Sequence, residues 1–132
     1  MNNAIGCVVY QKYASTQHKI SNLSFIKKMC IDALFTYEGY LKAVQKKLGK
    51  VYKIPVYFDD ENMFFPIKRT RDYENIWINY ATVQEIRVLT EQIEIIFESQ
   101  QKLQVNISLN SLKRQIKYLE EIRNVKVKPF HS

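Results

Sequence analysis

The chain has 132 residues, 46% hydrophobic and 25% charged, with a formal net charge of +7. That length and balance give one domain, read over 1–132, with a core of its own, and exclude a disordered or collagen-like chain. No run of eighteen apolar residues occurs, and "MNNAIGCVVYQKY" lacks the cationic start and long apolar segment of a secretion signal, so a cytoplasmic protein with no membrane association is predicted.

In chain order, the β-branched stretch "AIGCVVYQKY" reads as a first strand and "ASTQHK" as a polar connection. The next stretch is ambiguous: Ile26, Cys30 and Ala33 fit a helix, while Met29–Asp32 also fits a short strand. A helix is predicted over about 36–48, where Tyr37, Leu41, Val44 and Leu48 recur at helical spacing, Thr36 can cap the start and Gly49 can end it. Lys42, Lys46, Lys47 and Lys50 cover its other side. Gly39 in the first turn costs about 1 kcal/mol against alanine, which points to a close approach there.

From Tyr52 the period changes to two, with Ile54, Val56 and Phe58 on one face and Lys53 and Tyr57 on the other. Pro55 marks an edge strand. "DDEN" reads as a solvated turn and "MFF" as a short strand closed by Pro66. A basic loop carrying Lys68, Arg69 and Arg71 follows. The strands "IWINY", "VQEIRV", "EQIEIIFES" and "KLQVNIS" then alternate as an antiparallel meander with one wet side. Asn110 is placed as the cap of a closing amphipathic helix over about 110–122, with Leu112, Ile116 and Leu119 facing in, and the basic segment from about 123 as a frayed tail. The fold class is α+β: a mainly antiparallel meander sheet with an inserted basic helix and a C-terminal amphipathic helix.

Catalytic motifs are missing: no nucleophile elbow, phosphate loop, dinucleotide fingerprint or zinc-protease helix occurs, so the chain is read as a non-enzyme without cofactors. Cys7 and Cys30 stand among apolar residues and His18 and His131 lie far apart, which predicts buried, reduced thiols and no metal site. Asp59, Asp60 and Glu61 lack calcium-loop spacing. Positive charge is the remaining chemical signal. It falls on Lys42 and Lys46 of the first basic helix, on Lys68, Arg69 and Arg71 of the loop, on Lys113, Arg114 and Lys117 of the last helix, and on Arg123, Lys126 and Lys128 of the tail. Any one of these groups is ordinarily a solvated face. The loop is the least ordinary, because two arginines on a short constrained connection suit phosphate contact or insertion into a narrow groove. Trp77 reads as packing rather than as a base-stacking platform.

The ordered set Cys30, Tyr37-Glu38-Gly39-Tyr40, Lys53-Ile54-Pro55-Val56, Phe64-Phe65-Pro66 and Ile76-Trp77-Ile78, ending in a strand from Val83 and "SLKRQI", resembles the ComK family of competence transcription factors over roughly residues 26–120. The resemblance marks Gly39, Pro55, Phe65, Pro66 and Trp77 as structural positions. It implies a bacterial activator of DNA-uptake genes, bound to AT-rich double-stranded DNA through the minor groove as a homodimer or larger oligomer. On that reading Arg69 and Arg71 enter the groove while Phe64, Phe65 and Trp77 hold the loop ends. Three departures stand out: Tyr40 where a cation is common, Ile67-Lys68-Arg69 after Pro66, and Ser99-Gln100-Gln101 in place of an Asn-Gly turn. The C-terminal stretch "VKVKPF" does not match the family's adaptor and protease segment, so that control is not carried over. An alternative reading is a pleckstrin-homology-like protein-interaction or regulatory module without sequence-specific DNA binding, which binds a partner directly or offers it the sheet edge at Pro55. A weaker resemblance is to LytTR-type DNA-binding modules.

Overall fold

A computed structural model describes residues 7–10, 15–18, 22–49, 53–68 and 75–127, the first two stretches by backbone alone. Strand β1 (Cys7–Tyr10) pairs antiparallel with β2 (Ser15–His18). The segment that was ambiguous in sequence is helix α1 (Asn22–Asp32), with Ile26 and Cys30 fully buried. Its end is closed by the Phe35 amide donating to the Cys30 carbonyl at 3.0 Å, with Leu34 in the left-handed region at φ 72°. Glycine is the usual residue there, and this leucine is 93% exposed.

Helix α2 (Tyr37–Leu48) has the predicted ends. The Thr36 hydroxyl accepts from the Gly39 amide at 3.1 Å, and Gly49 leaves the helix at φ 85°. A Cβ on Gly39 would stand 2.9 Å from Thr36 Oγ1. The close approach is therefore to the cap of its own helix, not to another backbone. Tyr37, Tyr40 and Val44 are buried.

Strands β3 (Val56–Asp59), β4 (Asn62–Pro66) and β5 (Trp77–Asn79) form an antiparallel run that joins β1 by a parallel pair, Tyr10 opposite Ile78. The sheet order is β2-β1-β5-β4-β3. Tyr57 falls among the buried residues along with Val56, because the Tyr40 hydroxyl reaches the edge of β3. That hydroxyl donates to the Pro55 carbonyl at 2.7 Å and accepts from the Tyr57 amide at 3.2 Å. Tyr40 thus acts as a one-residue strand partner across the proline, and burial raises its pKa.

The meander is not one sheet. Asn79 breaks it: its Oδ1 accepts from the amides of Met63 and Ala81, and its Nδ2 donates to the Glu61 carbonyl, all at 3.0–3.1 Å. A 3-10 turn at Tyr80–Thr82 follows and redirects the chain. A second, three-stranded antiparallel sheet then forms, in order β6 (Val83–Val88), β7 (Ile93–Phe97) and β8 (Lys102–Val105). Its register sets Ile86 opposite Ile95, Val88 opposite Ile93 and Ile95 opposite Leu103 on one face; Arg87 faces Glu94 and Glu94 faces Gln104 on the other.

Helix α3 (Leu109–Val127) closes the chain, burying Leu112, Gln115, Leu119 and Ile122. Two expectations are corrected here. The cap is Ser108, whose Oγ accepts from the Ser111 amide at 3.1 Å, so the helix starts one residue before Asn110. Residues 123–127 are helix rather than frayed tail: α3 runs to Val127, its last turns dock beside β3, and the rest of the expected tail lies outside the described residues.

Candidate nucleic-acid interface

Pro66 and Trp77 face each other across β4 and β5, and the Ile67 amide donates to the Ile76 carbonyl at 3.0 Å. Beyond that rung the strands would splay, were it not for Asn75. Its side chain is 1% exposed, and Oδ1 accepts from the Lys68 amide at 2.9 Å and the Ile67 amide at 3.2 Å, while Nδ2 donates to the Lys68 carbonyl at 3.2 Å. One carboxamide therefore fixes both strands at the base of the basic loop. Lys68 is exposed at this mouth. Arg69 and Arg71 lie outside the described residues. Lys53, itself at φ 56°, brings its Nζ to 3.5 Å from the Ile67 carbonyl and so adds a cation beside the base.

Phe64, Phe65, Pro66 and Trp77 are all buried, Phe65 to 1% and Trp77 to 4%. They pack the strands beneath the loop and offer no face on which a base could stack. Pro55 is buried directly before the edge strand β3.

Lys113, Arg114 and Lys117 are exposed on the N-terminal half of α3, and Lys42 and Lys46 are exposed on α2. None of these five makes an ion pair with a described residue. They do not gather at one point. The groove in which α2 meets α3 is lined by Val44, Leu48, Ile122 and Val125, and Lys113 lies about 14 Å along the helix axis from Ile122.

The cations expected in the tail behave differently. Arg123 forks onto Asp60, Nε to Oδ1 at 2.7 Å and Nη2 to Oδ2 at 3.2 Å. With the Tyr57 hydroxyl donating to the same carboxylate at 2.6 Å, the Arg123 fork holds the Asp60 pKa at about 2. Lys126 donates from Nζ to the Tyr57 carbonyl at 2.9 Å and sits over three rings, 4.7 Å from the Phe35 centroid and 5.6 Å from those of Tyr40 and Tyr57. Both residues are docked into the protein itself, and Lys128 lies outside the described residues. Elsewhere Lys27 pairs with Glu38, Lys28 with Asp32 and Arg87 with Glu85.

Asn75, Lys53 and Tyr40 were not singled out from sequence as site residues. Asn75 had one signal: a lone amide between a charged loop and an apolar strand. The bonds of the others span long sequence separations and leave no local pattern. Cys30 is a buried free thiol whose pKa burial pushes up to about 11; the side chain of Cys7 lies outside the described residues. Among the described residues no His/Cys/Asp/Glu group could hold a metal, and no helix is long and apolar enough to cross a membrane.

The family model described as ComK protein matches residues 2–126. No curated protein and no solved structure matches the chain.

Proposed function

Because the chain belongs to the ComK family, a family of competence transcription factors rather than enzymes, we propose that it is a DNA-binding activator of DNA-uptake genes that reads AT-rich promoter elements through the minor groove. The observation that carries this reading is the base of the basic loop. A buried asparagine bonded across the loop mouth fixes Lys68 and Asn75, the described ends of the connection that carries Arg69 and Arg71. A narrow A-tract groove concentrates negative potential, and arginines suit insertion into it. Lys113, Arg114 and Lys117, without acidic partners among the described residues, suit the flanking phosphates, and Lys42 and Lys46 extend that field. One domain of this size buries roughly 600–1,000 Å² on duplex, so specific recognition calls for two or more copies on two half-sites.

The experiment is a titration of AT-rich and GC-rich duplexes at several salt concentrations. Affinity should fall with salt on a log–log slope of about 0.9 per phosphate neutralised. Arg69→Ala and Arg71→Ala should each weaken AT-rich binding more than Lys102→Ala, an exposed cation on β8, and should shrink the preference for AT-rich duplex. A flat salt response, or a preference untouched in the arginine variants, removes the groove-reading role.

A further inference from the structure

We propose that the outer edge of β6 is a self-association surface, on which a second copy of this chain pairs its own β6 antiparallel about a two-fold axis through Ile86. This names the surface for the assembly proposed above and rests on that reading only for its role on duplex.

Edge strands expose a row of unpaired amides and carbonyls, and proteins normally guard them. The edge at β3 is guarded: Pro55 precedes it, the Tyr57 amide is taken by the Tyr40 hydroxyl, and the Tyr57 carbonyl by Lys126 Nζ. The edge at β8 carries Lys102. Strand β6 has neither device, and past a register shift between Val83 and Glu85 its run Glu85–Val88 is regular against β7. It is six residues of "VQEIRV", without proline, glycine or lysine, and among the described residues it has a strand neighbour only in β7. Val88 at its end is 61% exposed and Leu89 beside it 40% exposed.

The occupant follows from register and charge. Two identical strands related by a two-fold axis must place opposite residues on the same face, so the axis passes through a residue rather than between two. Near the middle of β6 the choices are residues 85, 86 and 87. An axis at 85 sets Glu85 against Glu85 of the partner subunit, and one at 87 sets Arg87 against Arg87 of the partner subunit; like charges directly opposite are destabilising. An axis at Ile86 sets each Glu85 opposite the partner's Arg87, twice over. The same register lays Ile86 on its own copy. Glu85 and Arg87 already share a face, paired at 3.0 Å within the chain, and Arg87 also faces Glu94 on β7. The join would make one six-stranded sheet whose apolar face continues from Ile95 through both Ile86 side chains. With one strand contributed per copy the contact belongs to the weak class, which suits an assembly completed on a duplex, where two adjacent sites raise the effective concentration.

The test is sedimentation of the full chain without DNA, from roughly 10 μM to 1 mM, the range of a weak interface. A monomer–dimer equilibrium is expected. Glu85→Arg and Arg87→Glu should each raise the dissociation constant roughly thirtyfold, since two pairs turn from attraction to repulsion. The double variant should return it to within about threefold of the original, because opposite charges meet again. In a Cys7→Ser background, Ile86→Cys should cross-link on oxidation, as the two Cα atoms would lie about 4.5 or 5.5 Å apart. A monomer at every concentration, single swaps without effect, a double swap that fails to rescue, or a variant at Ile86 that stays uncross-linked each overturns the proposal. The two readings fail separately: a dimer that ignores AT-rich duplex sinks the function and leaves the interface, and a strict monomer that binds duplex does the reverse.

Discussion

Replacing Asn75 with alanine tests whether the loop is held by its base. The carboxamide makes two bonds to Lys68, at 2.9 and 3.2 Å, and a third, at 3.2 Å, to the Ile67 amide, which keeps the Ile76 carbonyl as a second acceptor. Two unshared bonds at about 1 kcal/mol each, with a smaller loss for the shared one and for the small void, give a cost of about 2–3 kcal/mol. For a domain of this size that is a fall in melting temperature of roughly 7–12 °C. Urea unfolding should show the midpoint shift with an unchanged slope. Asn79→Ala is the comparator, since Asn79 is also buried and makes three side-chain bonds of its own, but at the sheet-changing turn. Both variants should lose similar stability; only Asn75→Ala should shrink the preference for AT-rich duplex. A loss below about 0.5 kcal/mol at Asn75 would refute the pinning of the loop, because it would mean that the carboxamide bonds contribute no more than an exposed surface contact.

Three further outcomes follow from the geometry. Asp60 is held at about 2 against the ordinary 3.8, so its pairing contributes stability above the ordinary value and loses it as pH falls through the folded value; Asp60→Asn should flatten acid unfolding between about pH 4 and pH 2 and leave the rest of the curve unchanged. Lys126→Met keeps the stem and removes the ammonium from its cage, and should cost about 1–2 kcal/mol in chemical denaturation, whereas a cation on a free tail would cost nothing measurable. Gly39→Ala gains up to about 1 kcal/mol of helix propensity but pushes on the Thr36 cap, which is worth about the same, so its melting temperature should stay within a few degrees, while Gly39→Val should fall clearly below both.

The parts legible in sequence are those with local causes. The ends of α2 follow from Thr36 and Gly49, whose effects act within one helical turn. The alternation of Ile93, Ile95 and Phe97 places β7, because period-two burial is a property of the strand itself. Helix α1 resisted reading because its stop is Leu34, a residue type that gives no helix-ending signal at a left-handed position. The division of the meander into two sheets depends on Asn79 reaching back to Glu61 and Met63, and an asparagine within an apolar strand looks the same in sequence whether it bonds or not. The charged clusters were legible as charges but not as free or engaged. Lys113 and Lys126 look alike in the sequence; only the rings of Phe35, Tyr40 and Tyr57 separate a cation open to a ligand from one held by the protein.

The docking of the last turns of α3 bears on the order of events in folding. Arg123 reaches Asp60 across 63 residues and Lys126 reaches Tyr57 across 69. Loops that long are closed late, after entropy has been lost without local reward. Substitutions at Arg123 or Lys126 therefore act on the unfolding rate and leave refolding almost unchanged. During synthesis the β3–β4 hairpin precedes its clamp by roughly 3–14 s at ordinary elongation rates. Through that interval the ring faces of Phe35, Tyr40 and Tyr57 lack the ammonium that later covers them, and the emerging half-chain is at its most adhesive.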